Sequence, residues 1–301
     1  MSENRQVNLT IVIRSYNEMP HVPATLNNLL IQRRQDFGII VIDTGSTDGS
    51  VEVFKEFARG PGKKYNLELI EIPVEEYNPG HVLNIGIGKS PHDVVVLLNA
   101  DATPVDEFWL ERLVKPFAQD EEIAATFSRQ LPRTETKPLF ALDTLRFYPE
   151  EGPPKWKRFV HYSHAACAVR KDVWQKYPIS TKCSKSEDIE WAHRIASGGY
   201  QILYTFDSVV YHAHNYTLGG YRRRMLLEGE DSVLIFEDMR PSLPGSCRSC
   251  AAAIVRDIAW CIKNGYILSA LYSPIIRLTQ HIARYRGQRR GIRARSRKQS
   301  G

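Results

Sequence analysis

The chain has 301 residues, 43% of them hydrophobic and 25% charged, which is enough for a soluble core of one or two domains. Its formal net charge of +6 comes from the C-terminus, because eight basic residues lie between Arg284 and Lys298 and no acid follows Asp257. The rest of the chain is near neutral, which argues against a nucleic-acid-binding domain, and no nucleic-acid partner is expected.

The sequence also bears on the cellular compartment. The N-terminal residues contain no apolar signal region, and the longest uncharged apolar stretch, 264–276, is too short to span a bilayer. An odd number of cysteines without a signal region is typical of a reducing compartment. We therefore predict a cytoplasmic protein with free thiols at Cys167, Cys183, Cys247, Cys250 and Cys261.

The first hundred residues alternate between apolar runs and amphipathic segments. Strands are predicted at 9–14, 39–43, 67–72 and 94–98, and helices at 23–32, from Asp48 onward and at 81–88. Strands that alternate with helices predict an α/β fold with a mainly parallel sheet and right-handed crossovers.

The remainder of the chain continues this pattern and then becomes helical. The predicted elements are a helix beyond Asp106, a strand at 123–127, a helix at 187–197 and strands at 201–205 and 209–212. Residues 130–163 are rich in proline, arginine and aromatics, and we interpret them as a long loop. We predict one α/β domain over residues 1–225, followed by a C-terminal helical segment and basic tail over 226–301.

The end of the fourth strand carries the most informative polar residues. The apolar run 94–98 stops on Asn99, Ala100 and Asp101. In an open α/β sheet, such residues face the ligand crevice, where a carboxylate can hold a divalent cation against a diphosphate. The alternative is that Asp101 caps the next helix, but Pro104 and Asp106 supply a start signal of their own.

Polar turns also follow the first two strands. The turn after strand one, residues 14–18, lacks the G-x-G-x-x-G of a dinucleotide-binding dehydrogenase. It offers instead the ring of Tyr16, which can stack on a base, and the carboxylate of Glu18, which can bind a ribose. After strand two, Asp43 opens the glycine-containing turn 43–50, which can also be explained as a capped turn.

These three strand ends, together with segments 77–86, 186–194 and 210–217, resemble the family-2 glycosyltransferases. The resemblance covers roughly residues 8–230. It implies an inverting enzyme with a nucleotide-sugar-binding, GT-A-type (Rossmann-like) α/β domain followed by C-terminal helices. Within the family, the chain is most similar to bacterial rhamnosyltransferase-type members that decorate surface polysaccharides.

The resemblance implies a set of donor-binding residues at the strand ends and near the third helix. These are Arg14, Tyr16, Glu18, Asp43, Thr44, His81, Asn84, Asn99 and Asp101. Thr44 stands where the family usually has a second acid, which suits a thymidine or uridine donor. Asn99 stands at the first acid of the family's metal-binding Asp-x-Asp, which implies a weaker metal site.

The chemistry of inverting transfer requires a base for the acceptor hydroxyl and a positive charge beside the leaving diphosphate. By resemblance, Asp188 is the base, with Glu187 as the fallback; a plain helix-capping role is the alternative for both. A divalent cation, Mg²⁺ or Mn²⁺, is the expected cofactor. Asp101 is its first expected ligand.

His212 and His214 are further candidates for the metal site. Their i, i+2 spacing places both on one side of an extended segment. They either complete the metal shell or contact the diphosphate, and a hydrogen-bonded turn is an equally good interpretation. Imidazole ligands favour a Mn²⁺-like ion over harder cations.

The function that the resemblance implies is transfer of a sugar from a dTDP- or UDP-sugar, for example rhamnose, to a glycan or lipid-linked acceptor. The reaction would belong to surface polysaccharide synthesis. A non-catalytic nucleotide-sugar-binding or glycan-binding protein is the alternative. A nucleotidyltransferase is a third class, but residues 14–18 are not the basic glycine-rich loop that it requires.

The C-terminal segment resembles a membrane-surface helix. Isoleucines at 254, 258 and 262 and apolar residues at 268, 271, 275, 278 and 282 form a stripe broken by Gly265 and Pro274. We place Arg256, Lys263, Arg277 and Arg284 on its polar side. This predicts peripheral binding at the inner face of the cell membrane through anionic lipid; the alternative is a packed helix with a disordered tail.

Overall fold

The structure is a computed structural model that describes residues 8–152 and 161–299. Contacts between residues divide the chain into two compact units. The first unit comprises Met1–Leu131, Leu145–Thr181 and Asp188–His212, and the second comprises Pro132–Thr144, Lys182–Glu187 and Ala213–Gly301.

The first unit is built on an eight-stranded sheet. The strands are β1 Leu9–Ser15, β2 Phe37–Asp43, β3 Glu68–Glu71, β4 Val94–Asn99, β5 Thr103–Pro104, β6 Ile123–Leu131, β7 Ala166–Arg170 and β8 Gln201–Tyr211. Their order is β3-β2-β1-β4-β7-β6-β8-β5. The pairs β3-β2, β2-β1, β1-β4 and β6-β8 are parallel, whereas β7 and β5 run antiparallel to their neighbours. The mainly parallel α/β sheet is confirmed.

Helices cover both faces of this sheet. They are α1 His21–Leu30, α2 Ser50–Arg59, α3 Pro79–Lys89, α4 Trp109–Val114, α6 Lys171–Lys176 and α7 Glu187–Ser197. Helix α5, Pro138–Phe147, follows β6 in the chain, and most of it belongs to the second unit. Alternate residues of β1 enter two core layers: Ile11 and Ile13 pack in one, and Val12 packs in the other. Burial on both faces explains why these strands are continuously apolar in sequence.

The predicted loop over 130–163 is wrong in its first half. Strand β6 continues to Leu131, and helix α5 begins at Pro138. Proline is favoured in the first helical turn, where no backbone donor is needed, and Leu139 and Phe140 of this helix are buried. Proline and aromatic content were therefore signs of a packed helix. Residues 153–160 of the predicted loop lie outside the described residues.

The two strands predicted at 201–205 and 209–212 are one strand, β8. The pairing of β8 with β6 shifts register between Ser128 and Arg129, which lie opposite Thr205 and Val209. An irregularity of this kind accommodates extra residues without ending the strand. The strand therefore delivers His212 directly from its C-terminal end.

The second unit contains three long helices, α8 Leu218–Ile235, α9 Leu243–Lys263 and α10 Ile267–Gln299. The predicted C-terminal helices are confirmed, and the basic segment itself is helical. Gly265, with φ of 77°, separates α9 from α10, whereas Pro274 lies inside α10 without ending it. Among the helices of the described residues, none combines the length and hydropathy needed to cross a membrane.

The predicted polar side of the C-terminal helix is wrong for Arg277. This side chain is 1% exposed and donates to Asp143 through Nη1 and Nη2, both at 2.8 Å, and to Asp257 through Nε at 2.6 Å. The two carboxylates hold the pKa of Arg277 well above its ordinary value, against the opposing effect of burial. A buried arginine with two acids is a structural ion network of the second unit.

Candidate active site

The three polar strand ends lie side by side in the first unit. In the parallel register, Ser15 of β1 is opposite Asp43 of β2, and Arg14 is opposite Asn99 of β4. The sheet therefore brings together the turns after strands one, two and four, as their positions in sequence predict. A cavity of about 390 Å³ lies at the other, amino ends of these strands, beside Thr10 and Phe37, away from these turns.

Hydrogen bonds join the turn after β1 to the turn after β2. The Asn17 backbone N donates to Ser46 Oγ at 2.8 Å, and the Thr47 backbone N donates to Asn17 Oδ1 at 2.8 Å. The Met19 backbone N donates to Asp48 Oδ2 at 2.8 Å. Asn17 has φ of 53°, a left-handed conformation that asparagine tolerates. These bonds hold Tyr16 at the surface with 47% of it exposed, available for stacking.

Asp43 and Thr44 are fully buried. Asp43 Oδ1 accepts from the Ser46 backbone N at 2.7 Å, and Oδ2 accepts from Ser46 Oγ at 2.6 Å. Thr44 Oγ1 donates to the Ser15 carbonyl at 3.1 Å. Both side chains therefore shape the turn, and the side chain at its rim is Ser46.

The end of β4 is tied to β1 and β8 by a chain of polar contacts. Arg14 Nη2 donates to Asn99 Oδ1 at 3.0 Å, and Asn99 Nδ2 lies 3.5 Å from His212 Nε2. The same His212 nitrogen lies 3.5 Å from Asp101 Oδ1. Because Arg14 occupies the amide oxygen of Asn99, Asn99 presents its NH₂ group to His212. Asp101, 2% exposed, is the carboxylate that faces the imidazole.

Gln130 fixes the orientation of His212. Gln130 Nε2 donates to Ser163 Oγ at 3.1 Å, so its Oε1 is the atom that lies 2.8 Å from His212 Nδ1. An amide oxygen can only accept, so Nδ1 donates to it. Nε2 then lies 3.5 Å from both Asn99 Nδ2 and Asp101 Oδ1, and in the neutral ring it is the nitrogen that carries the lone pair. This is the arrangement of a metal-binding histidine, whose second nitrogen donates to an oxygen behind it.

The other candidate ligand, His214, belongs to the second unit. Its ring lies 5.9 Å from the ring of Tyr216, centroid to centroid. Its participation in the metal site remains a prediction based on its spacing from His212.

His81 and Asn84 lie on helix α3. His81 is exposed in the first turn, where its backbone N donates to Asn78 Oδ1 at 3.0 Å. Asn84 accepts from Trp174 Nε1 at 2.7 Å and from the Ile179 backbone N at 3.0 Å, and it donates to the Ile179 carbonyl at 2.8 Å. The amide of Asn84 is thus committed to holding residues 174–179, and donor binding by both residues remains a prediction.

Asp188 lies in the first turn of α7, half-buried, with Oδ1 accepting from the Ile189 backbone N at 2.8 Å. The charge of Asp188 affects the pKa of a residue near the start of β7. Burial is the main cause that raises the pKa of Cys167 to about 12, and Asp188 adds to it while Arg14 opposes it. Asp188 also contributes to raising the pKa of buried Tyr162. Asp188 and Arg14 therefore both act on Cys167, the residue opposite Leu97 of β4.

Glu187, the residue before Asp188, is buried in the second unit. The segment that leads to it is held by Asp231 of α8, which accepts from the backbone N of Lys185 at 2.8 Å and of Ser186 at 3.0 Å. Burial is the main cause that raises the pKa of Asp231, and the nearby charge of Glu187 adds to it. At the turn after β1, the Glu18 backbone N donates to the Ser50 side chain, with 3.3 Å between N and Oγ.

Sequence reasoning missed Gln130, Asp231 and His164. His164 is 2% exposed, between the rings of Tyr162 and Trp191, and neither ring nitrogen has a hydrogen-bond partner among the described residues. Burial, with a smaller contribution from Arg14, lowers the pKa of His164 to about 3. No spacing or motif marks these three residues, because Gln130 and Asp231 are defined by partners distant in sequence and His164 is defined by its burial.

Comparison with known proteins agrees with this geometry. The family model described as "Glycosyl transferase family 2" matches residues 10–177, more than half of the chain, and includes all three strand ends. The chain belongs to glycosyltransferase family 2. Asp188 and His212 lie beyond the matched segment, so the family match does not bear on their roles, which remain predictions.

Two relatives of this family 2 glycosyltransferase are O-antigen chain rhamnosyltransferases of Salmonella. RfbN of Salmonella typhimurium is 29% identical over 222 residues, which cover 69% of this chain and 67% of the relative. WbaN of Salmonella anatum is 31% identical over 199 residues, covering 62% of this chain and 59% of the relative. The chain thus matches about three fifths to two thirds of each relative's length.

A solved structure shows the fold. The mannosyltransferase PcManGT from Pyrobaculum calidifontis, solved in complex with GDP-Man and Mn²⁺, has a TM-score of 0.64 and 20% identity, covering 95% of this chain and 87% of that chain. TarS of S. aureus has a TM-score of 0.51 and 14% identity, covering 94% and 55%. The family 2 chain therefore has the GT-A-type fold that its sequence predicts.

Proposed function

We propose that this family 2 glycosyltransferase moves a sugar from a nucleoside-diphosphate donor to a glycan or lipid-linked acceptor, with inversion at the anomeric carbon. The observation that carries the proposal is the Asp101–His212 pair beside Arg14 and Asn99 at the carboxyl ends of the strands. Such a group of polar side chains at this edge of an α/β sheet suits a charged diphosphate.

The donor we propose is a dTDP- or UDP-sugar, for example rhamnose, used in surface polysaccharide synthesis. Two relatives named as O-antigen chain rhamnosyltransferases support the sugar and the pathway class. Tyr16 would stack on the base, Glu18 would bind the ribose, and Arg14 would bind phosphate oxygens. Thr44 and Asp43 would position this site without touching the donor, because their side chains form the hydrogen bonds that hold the turn.

A divalent cation fits the residues present. The carboxylate of Asp101 is buried, and His212 Nε2 lies 3.5 Å from its Oδ1, which gives a donor set of one oxygen and one nitrogen. This set suits Mn²⁺ better than Mg²⁺, since imidazole is a softer ligand. The Mn²⁺ in the PcManGT complex supports the same choice. Asp101 and His212 would hold the ion, with His214 as the proposed third ligand, and it would supply positive charge to the leaving diphosphate.

The chain's own residues perform the proton transfer in this proposal. Asp188 accepts the proton of the acceptor hydroxyl as that oxygen attacks the anomeric carbon. The bond from that carbon to the diphosphate breaks, and Arg14 offsets the negative charge that remains on the diphosphate. Glu187, adjacent in sequence, is the fallback base.

The test is release of nucleoside diphosphate from dTDP-rhamnose, UDP-sugars and GDP-mannose, with a glycan acceptor, with Mn²⁺ and with chelator. Asp188→Asn should abolish transfer and leave donor binding nearly unchanged, because the base acts on the acceptor proton. The exposed carboxylate of Asp207 supplies the matched control, and Asp207→Asn should keep full activity. Donor binding without any release by the wild type would identify a non-catalytic binding protein and overturn the proposal.

A further inference from the structure

One solvent-exposed face of α10 carries large apolar side chains. Leu268, Leu271, Ile275, Leu278 and Ile282 follow each other at intervals of three and four residues, so they form one stripe along the helix. Leu268 is 83% exposed and Leu271 is 72% exposed, and the other three are about half exposed. We name these five residues the apolar stripe.

The same face continues as a row of arginines. Arg286, Arg289, Arg293 and Arg297 repeat the intervals of the apolar stripe, and all four are exposed. At 3.6 residues per turn, the five apolar residues and the four arginines lie within a sector of roughly 120°. One continuous helix face therefore changes from apolar to cationic along its length.

The opposite face of α10 is committed to the second unit. Ile276 and Ala283 lie in its hydrophobic core, and Arg277 binds Asp143 and Asp257. Gly287 lies against α8 so closely that a Cβ there would be 2.0 Å from the Leu226 carbonyl oxygen. Since these contacts fix the rotation of α10, they also fix which face is presented to solvent.

Helix α9 adds apolar residues near the apolar stripe's N-terminal end. Ile262 at the end of α9 is 58% exposed, and Ile267 at the start of α10 is 55% exposed. Tyr266 and Tyr272 are also more than two fifths exposed, and tyrosine favours the boundary between lipid and water. Exposed apolar and aromatic side chains therefore lie at and beside the turn between α9 and α10.

We infer that this face of α10 binds an anionic lipid bilayer, with the apolar stripe entering the boundary between headgroups and acyl chains and the arginines contacting lipid phosphates. The sequence of apolar and cationic residues on one face matches the two layers of a bilayer surface. A symmetric contact with α10 of a second copy fits less well. No acid follows Asp257, so the arginines of one copy would face the arginines of the other without a counter-charge. The inference concerns α10 alone and does not depend on the transfer reaction.

Flotation of the full chain with lipid vesicles tests the inference. The wild type should float with vesicles that contain phosphatidylglycerol, less with pure phosphatidylcholine, and less as salt rises, since salt screens the arginines. Leu271→Glu with Leu278→Glu should remove binding to both kinds of vesicle. Replacing the four arginines by glutamine should remove only the preference for anionic lipid. The affinity for vesicles that contain phosphatidylglycerol should fall roughly fivefold for each arginine replaced.

Matched substitutions elsewhere serve as controls. Ile31→Glu changes an exposed isoleucine of the first unit, and Arg59→Gln changes an exposed arginine at the end of α2; neither should alter flotation. Circular dichroism should show unchanged melting for the stripe variants, because the replaced side chains are exposed. Wild-type protein that stays unbound at low salt overturns the inference, as does flotation that the stripe variants leave unchanged. A concentration-dependent dimer that the same variants dissociate would identify a self-interface instead.

Discussion

Gln130 fixes the orientation and the protonated nitrogen of His212, the proposed metal ligand. Its Oε1 lies 2.8 Å from Nδ1, which leaves Nε2, 3.5 Å from Asp101 Oδ1, as the ring nitrogen available to a metal ion. Gln130→Leu should reduce Mn²⁺ affinity roughly 10- to 100-fold, which is typical for loss of the oxygen behind a ligating histidine. Titration of Mn²⁺ binding by electron paramagnetic resonance measures this directly, without a turnover assay.

Exposed Gln119 provides the control for this substitution, and Gln119→Leu should keep the wild-type affinity. An unchanged Mn²⁺ affinity in Gln130→Leu would remove His212 from the proposed ligands.

His164 makes stability depend on pH. Its pKa is about 3 in the folded chain and about 6.5 in an unfolded one, so between these values only the unfolded chain binds the proton. Stability from this residue is complete above pH 6.5 and is lost as pH falls toward 3. From pH 7 to pH 5 the free energy of unfolding should fall by about 2 kcal/mol on its account.

Urea unfolding of wild type and His164→Gln at pH 7 and pH 5 measures this contribution. The variant should lose less stability than the wild type over the same interval, whatever its stability at pH 7. Equal losses in both proteins would show that His164 is not kept neutral by burial.

At the scale of elements, the contact between α8 and α10 depends on glycine. A Cβ at Gly287 would lie 2.0 Å from the Leu226 carbonyl oxygen, and a Cβ at Gly229 would lie 2.3 Å from the Arg284 carbonyl oxygen. Gly287→Ala should therefore destabilise the second unit by about 1–3 kcal/mol, because backbone atoms must move apart. Thermal unfolding measures the change.

Gly219, also on α8, has nothing within 4 Å of a built Cβ. Gly219→Ala should be neutral or slightly stabilising, since alanine is the better helix former. Equal effects of the two substitutions would mean that α8 and α10 do not pack closely.

At the scale of the whole molecule, ligand binding should appear as stabilisation. Mn²⁺ with a nucleoside diphosphate at 100 times its Kd adds about 2.7 kcal/mol to the free energy of unfolding. Asp101→Ala should remove the Mn²⁺-dependent part of this shift and leave any metal-independent part. Thermal shift with nucleotide alone, Mn²⁺ alone and both together separates the two, and a full shift in Asp101→Ala would contradict metal binding at this carboxylate.

The sequence by itself determined the α/β class, the parallel strands and their polar ends. Continuous apolar runs and the residues that stop them are local features, so Arg14, Asp43 and Asn99 could be predicted to lie along one edge of the sheet. The C-terminal helices and the apolar stripe were predictable for the same reason, because helical spacing is also local.

Only the tertiary structure decided which polar groups pair. Arg277 looked like a surface residue, yet its partner Asp143 lies 134 positions earlier in the chain, and this pair sets the rotation of α10. His212 gains its orientation from Gln130, 82 positions away, and burial, with a smaller contribution from Arg14, keeps His164 neutral. Periodicity predicts which side chains share a face; the partner of a buried charge depends on contacts that form only when the chain has folded.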